Sequence, residues 1–201
     1  TAIASFVINN VSLLFLEIYA TTKEVGIFSV AFKVSILISI VLMIVNTIAA
    51  PKFSELFWTN RHDELQKVID FSSKLIFGSA LFLAVIIIVF KQFILSLFGN
   101  QFIQGDIVLV LLVTGQMINA MTGSTGIFLN MTGHQKTLQH LSILGMILTL
   151  GLSYILIPKY GMYGACIAFI VGISIKYIFA TWYVQAKHGF KTYYVPFYTR
   201  S

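Results

Sequence analysis

The sequence predicts an all-α, polytopic membrane protein built as a bundle of six transmembrane helices. Of its 201 residues, 58% are apolar and only 10% are charged, whereas soluble domains carry about 25% charged residues. The apolar residues also fall in long blocks, and crossing a hydrocarbon core takes roughly 20 mostly apolar residues per helix. The core of a soluble protein could not bury this much apolar surface. We therefore expect these helices to lie in the lipid bilayer.

Six apolar segments divide the chain, which we treat as one domain. Pro51 is expected to end the second segment, because a helix tolerates proline poorly beyond its first turn. The residues FGNQF end the third segment, and Pro158, Gly161 and Gly164 make a short turn after the fifth. The predicted spans cover residues 1–19, 26–50, 75–98, 106–131, 141–157 and 163–185.

Two polar segments complete this division: a link at 52–74 and a tail at 186–201. From Asp63 onward the link fits either an amphipathic helix on the membrane surface or an ordinary loop. The chain begins at Thr1, already within an apolar run and without a charged segment before it. That is unlike a signal peptide, so we expect a piece of a longer chain that lacks its N-terminal half.

Lysine and arginine are distributed unevenly over the two sides of the predicted bundle. Eight lie in the link, the loop at 133–140 and the tail, whereas the opposite side has three, Lys23, Lys91 and Lys159. Basic loops stay in the cytoplasm, so the prediction places the C-terminus there and lets the first helix cross outward. The same rule accounts for the net charge of +6, and nucleic acid is not an expected partner.

Four charged residues lie within the spans or at their ends: Glu17, Lys33, Asp106 and Lys176. Charges at membrane depth are rare and usually face protein or a water-filled cavity. Lys33 lies early in its span, where a long side chain can reach the interface. Lys176 lies near the middle of the sixth span, where its side chain reaches the interface less easily.

The sixth span places this lysine in a row of small residues. Gly164, Ala168, Gly172, Lys176 and Ala180 recur every four residues. Small side chains let membrane helices approach closely. We therefore expect Lys176 to point toward protein and to line a path for something anionic.

The fourth span carries a polar stripe with helical spacing, which Gln116 flanks. At 3.6 residues per turn its members share one narrow face. They are Gly115, Asn119, Thr122, Gly126 and Asn130. The stripe fits a cavity wall that offers hydrogen bonds to a polar solute, and it fits helix packing through small and amide residues equally well.

The second span has two polar faces, and both cannot line one cavity. Ser35, Ser39 and Asn46 share one face, while Ser29 and Lys33 lie nearly opposite. One face must therefore pack against a neighbour, and the sequence leaves open which one.

Other chemistry is sparse, so we expect neither an enzyme nor a cofactor. No phosphate loop, nucleophile elbow or zinc motif occurs in the sequence. The four histidines fall in predicted cytoplasmic segments and are expected to be solvated, with no metal site among them. Cys166 is the one cysteine, which excludes an internal disulfide.

The order of several short motifs resembles the C-terminal half of polysaccharide exporters. These are lipid-linked oligosaccharide flippases of the multidrug/oligosaccharidyl-lipid/polysaccharide superfamily. The motifs cover nearly the whole chain: EVGIFSVAFK at 24–33, APKFSELFWTNRHDELQK at 50–67, LFGNQF at 97–102, FLNMTGHQK at 128–136 and LIPKYGMYGACIA at 156–168.

The resemblance implies one half of a twelve-helix transporter, with a central cavity and alternating access. Its substrate would be an undecaprenyl-diphosphate-linked glycan, flipped across the inner (cytoplasmic) membrane in polysaccharide or O-antigen biosynthesis, and glycan polymerase machinery would be a partner. Lys33 and Lys176 would meet the diphosphate as point charges. Many members carry an acid near Ser12, whereas the nearest acid here is Glu17; Glu17 and Asp106 are the candidates for ion coupling.

Two other functions fit the same pattern. One is a multidrug extruder of the same superfamily, although two cavity lysines would repel a cationic drug. The other is a membrane scaffold that transports nothing, in which the stripe of the fourth span would serve packing alone.

Overall fold

The structure, a computed structural model, describes residues 2–193, except for the side chains of residues 2–5 and 9. All regular structure in this range is helical, which confirms the predicted all-α class. Thr1 and residues 194–201 of the predicted tail lie outside the described residues. The helices are α1 (Ala2–Tyr19), α2 (Thr22–Trp58), α3 (His62–Val89), α4 (Lys91–Ser96), a 3-10 helix (Asn100–Gly105), α5 (Asp106–Met121), α6 (Thr125–Met131) and α7 (Gln135–His188).

Four helical segments of the described chain are long and apolar enough to cross a membrane. They are α2, α3, α7 and the continuous segment Asn100–Met121. Their outward faces carry large apolar side chains, such as Ile48 on α2 and Phe82 on α3, whose exposed fractions are 74% and 70%. In membrane proteins lipid covers such surfaces, because lipid tails are as apolar as these side chains. The count of six spans remains a prediction.

Helix α2 does not end at the predicted position. A capping box starts it: the Thr21 hydroxyl accepts from the Glu24 N–H, and the Glu24 carboxylate accepts from the Thr21 N–H. The helix then continues past Pro51 to Trp58, which corrects the predicted end at residue 50. Phe53 and Leu56 are fully buried beyond the proline, and this packing outweighs the one backbone hydrogen bond that proline removes.

The predicted link at 52–74 is therefore helical on both sides of a tight turn. Residues 59–61 make the turn, with Asn60 in the left-handed region at φ 57°, and α3 begins at His62. Leu65 and Ile69 are fully buried while Asp63 is exposed. The start of α3 is thus amphipathic, and its apolar side packs on the bundle.

Helix α7 reverses direction at Gly161, within the turn that the sequence predicts. Gly161 has φ 52° and ψ −131°, which lie outside the helical region, and glycine adopts such a conformation without steric cost. The two arms, 135–160 and 162–188, run back along each other. A Cβ at Gly164 would overlap the carbonyl oxygen of Leu156, so the turn requires glycine at both positions.

The interior contains two apolar clusters. The larger one joins α1, α2, α3, α5 and α7 and includes Phe28, Leu42 and Phe169. The smaller one lies where the end of α2, the start of α3 and α6 meet, and it includes Phe53 and Phe128. The polar residues described next lie at the junction of the two clusters.

Candidate functional site

A cavity of about 490 Å³ opens into the bundle between α2, α5, α6 and the two arms of α7, and Ile8 of α1 also lines it. Leu42 from the larger apolar cluster and Leu138 from the smaller one both line it. Polar side chains alternate with these apolar residues along the wall. The polar members are Ser39, Asn46, Thr47, Gln116, Asn119, Asn130, Lys176 and Tyr177.

Lys176 reaches the cavity because the row of small residues on α7 packs against the other arm. A Cβ at Gly172 would overlap the hydroxyl oxygen of Thr149, so the two arms are in backbone-level contact there. Lys176, one turn further along, has only 7% of its surface exposed. Its Nζ lies 4.8 Å from the ring centroid of Tyr177, within range for a cation–π contact.

Lys176 is the only charged residue of the described chain that lines this cavity. Lysine is a compact point charge with three rotatable donors. The cavity consequently favours an anion and disfavours a cation through Coulomb interaction in a medium of reduced dielectric constant.

The stripe of the fourth span is interrupted, which corrects the prediction of one continuous face over 106–131. Helix α5 ends at Met121, and Gly123 adopts φ 60° before α6 begins at Thr125. The Thr122 hydroxyl donates to the carbonyl of Asn119 and does not line the cavity. The carbonyl of Thr192, from the far end of the chain, packs against Gly123 at this break.

The members of the stripe consequently divide between the two roles that the sequence left open. Gly115 serves packing, because a Cβ there would lie 2.9 Å from Cγ1 of Ile170. Asn119, Gly126 and Asn130 line the cavity, and so does Gln116 beside the stripe.

The face of α2 that lines the cavity is the one that carries Ser39 and Asn46. The Ser39 hydroxyl donates to Oε1 of Gln116 over 2.6 Å and so joins α2 to α5. Oδ1 of Asn46 is buried and has no hydrogen-bond partner within residues 2–193. A buried polar atom without a partner costs free energy, so this acceptor is available to a group that enters the cavity.

The other predicted site residues lie away from the cavity. Lys33 is exposed on the opposite side of α2, in one strip with the exposed apolar residues Leu37 and Ile40. Glu17 is exposed near the end of α1. Asp106 forms a 2.8 Å ion pair with Lys91, which fastens the start of α5 to α4. The structure therefore brings Lys176, Gln116, Asn119 and Asn130 together and leaves these three residues out.

A second cavity, of about 790 Å³, lies at the end of the bundle where α7 ends. His62, His188 and Lys187 line it together with aromatic side chains. The rings of His134 and His188 are only 4.5 Å apart between centroids. The expectation of four solvated histidines is therefore wrong for this pair, because the aromatic residues of α2, α6 and the end of α7 enclose it.

Burial changes the acid–base behaviour of His134. Loss of solvent lowers the pKa of this imidazole, the nearby Lys187 ammonium lowers the pKa further, and a hydrogen bond with Thr132 works the other way. No group of three or more potential ligands for a metal ion occurs among the residues that the structure describes. The aromatic residues Phe57, Phe128 and Phe190 were the available sequence signal for this cluster, but their convergence depends on the tertiary fold.

No family model, curated protein or solved structure matches the chain.

Proposed function

We propose that the chain is half of a membrane transporter that flips a lipid-linked oligosaccharide across the inner membrane by alternating access. Its substrate would be an undecaprenyl-diphosphate-linked glycan for polysaccharide or O-antigen assembly. An N-terminal half would complete the transporter, and the C-terminus would lie in the cytoplasm near the glycan polymerase machinery. One observation carries this proposal, namely the buried ammonium of Lys176 in a polar cavity between apolar helices.

The chemistry of the cavity supports a substrate that is both anionic and rich in hydroxyl groups. Lys176 supplies positive charge for a diphosphate. Amide side chains of Asn119 and Asn130 can each donate to and accept from sugar hydroxyls. The volume, about 490 Å³, lies within the usual range for small-molecule sites, and it would hold the head of the lipid-linked glycan and not its polyprenyl tail.

Two alternatives receive less support from the same cavity. A multidrug extruder with a cationic substrate would place its cargo beside Lys176, where like charges repel. A scaffold without transport would leave a buried lysine and the unpartnered Oδ1 of Asn46 facing a cavity with no role for either. Buried charges in membrane proteins are costly and are usually functional.

Lys176→Ala tests the proposal in the natural protein in its own cells. We expect surface glycan to fall by roughly tenfold or more, because a charge-assisted hydrogen bond to a ligand contributes about 1.5–3 kcal/mol. Lys176→Arg, which keeps the charge, should restore part of the output. Immunoblotting of the membrane fraction shows whether each variant inserts normally.

Lys33→Ala is the matched control, since it removes the same ammonium from the outward face of the bundle. We expect its glycan output to stay close to that of the unaltered protein. Undiminished surface glycan in Lys176→Ala, at normal protein level, would falsify the role of Lys176 and with it the proposed site.

A further inference from the structure

A short segment after the last helix, residues 189–193, folds back onto the bundle; we call it the strap. Gly189 ends α7 in the left-handed conformation, at φ 73°, which turns the chain around. Gln66 of α3 then holds the strap at Lys191, accepting from its N–H over 3.1 Å and donating to its carbonyl over 3.2 Å. This paired contact resembles one rung of a sheet and fixes the direction of the strap.

The strap continues into the space between α3 and α6. The side chain of Thr192 is fully buried, and its hydroxyl lies 2.6 Å from the hydroxyl of Thr125 at the start of α6. The carbonyl of Thr192 accepts from the Ser73 hydroxyl over 2.9 Å. It also packs on Gly123 so closely that a Cβ there would overlap it.

Helix α6 is therefore held from both sides. On one side the strap contacts Thr125, and on the other side Gly126 and Asn130 line the polar cavity. The helix has only seven residues and is bounded by two glycines with positive φ, Gly123 at 60° and Gly133 at 81°. Such positions can absorb large backbone changes and serve as hinges.

One polar atom at the first hinge lacks a partner in this arrangement. The hydroxyl of Ser124, buried between α5 and α6, makes no hydrogen bond within the described part of the chain. An unpaired buried hydroxyl is uncommon and calls for an explanation. A second arrangement of α6, in which Ser124 finds a partner, would account for it.

We propose that the strap is a latch on the wall of the cavity. Seated as seen here, it holds α6 in place; when it is released, α6 turns about Gly123 and Gly133 and opens the cavity toward the C-terminal end of the bundle. The part of this proposal that concerns transport rests on the proposed function, in which an opening of this kind is one step of alternating access.

A reversible disulfide tests whether the strap must move. Thr125→Cys with Thr192→Cys, in a Cys166→Ala background, replaces hydroxyls 2.6 Å apart with sulfurs, and a disulfide needs about 2.05 Å between sulfurs. Oxidation with copper phenanthroline should abolish glycan export, and dithiothreitol should restore it. The matched control is Ser12→Cys with Ser153→Cys, another buried hydroxyl pair, at 3.3 Å, which joins α1 to α7 and should leave export unchanged.

Hydrogen exchange tests the latch without any assay of transport. In the protein in lipid nanodiscs, Ser73→Ala should speed amide exchange in residues 126–131 roughly 5-fold, the factor expected from losing one hydrogen bond that closes a local opening. Ser79→Ala is the matched control on the same helix, because its hydroxyl donates to the carbonyl of Leu75 within α3, and it should leave that exchange unchanged.

The two measurements separate the latch from the proposed function. Unchanged exchange in Ser73→Ala, or full export with the oxidised Thr125–Thr192 pair, overturns the latch. If the unaltered protein exports no glycan, the proposed function fails, and the exchange experiment alone decides whether the strap holds α6.

Discussion

Two lysines within membrane-length apolar helices lie in opposite surroundings. Lys176 is 7% exposed and lines a polar cavity between packed helices. Lys33 is exposed among the outward apolar side chains of α2. In the sequence the two residues look alike, since each is a single cation within an apolar run. The structure separates them by direction, because α7 buries its lysine against another arm of the same helix and α2 turns its lysine away from the bundle.

This difference shows that close helix packing, more than position along the helix, decides whether a lysine in an apolar helix is buried in a cavity wall. Small residues flank Lys176 along its helix, and they bring the other arm of α7 close to it, since a Cβ at Gly145 would lie 3.3 Å from the Cβ of Lys176. Lys33 has the large residues Leu37 and Ile40 along its strip instead. A large side chain keeps neighbouring helices apart, so no wall forms around Lys33 within the described bundle.

The largest loss of folded yield and stability should come from breaking the contact between the two arms of α7 beside Lys176. Gly172→Leu forces a side chain onto Thr149 and the carbonyl of Gly145, and overpacking of this kind costs about 1–3 kcal/mol or more. We expect the variant to lose most of its folded yield and to melt earlier in a thermal assay in detergent.

Gly151→Leu is the matched control, since a Cβ there meets no atom within 4 Å. It lies in the same arm pair but outside the contact, and its yield and melting temperature should stay near those of the unaltered protein. Equal losses in both variants would show that leucine is harmful anywhere in α7 and would remove the packing argument.

The sequence predicts the all-α class, membrane-length apolar helices and the burial of Lys176 for physical reasons, and the structure agrees with each of these. Long apolar blocks specify membrane-length helices, and a four-residue repeat of small residues specifies a contact face. Proline and glycine between two apolar runs predict the turn in which α7 reverses at Gly161. These signals lie within short segments of the chain, so the sequence alone contains them.

Other features depend on contacts between distant residues and escaped prediction. Pro51 does not end α2, because Phe53 and Leu56 are buried by α3 and α6. The fourth span breaks at Gly123, where the strap from the far end of the chain packs. Which face of α2 lines the cavity follows from the bond between Ser39 and Gln116. None of these partners is adjacent in sequence, so no local pattern contains the information.

A smaller loss of stability should distinguish a hydroxyl in the cavity wall from one on the outward surface. Ser39→Ala removes the donor to Gln116, which is 2% exposed, and losing such a buried hydrogen bond costs about 1 kcal/mol. Thr114→Ala also removes a hydroxyl, but that hydroxyl is exposed and donates to Val110 within its own helix, so we expect almost no change. Thermal unfolding of both variants in detergent measures the difference.

A double-mutant cycle isolates the bond itself. If Ser39 and Gln116 are coupled across the cavity wall, the losses in Ser39→Ala and Gln116→Ala will not add in the double variant. Additive losses would mean that the two side chains act independently and that α2 and α5 are held together by apolar packing alone.

Water accessibility at the two lysine positions tests the central claim most directly. In a Cys166→Ala background, Lys176→Cys and Lys33→Cys are each treated, in membranes, with a charged methanethiosulfonate reagent. Because only the hydrated thiolate reacts, we predict that the cysteine at 176 is labelled at least about tenfold faster than the cysteine at 33. Faster or equal labelling at 33 would contradict the account, because it would place the water-filled path on the outward face of α2.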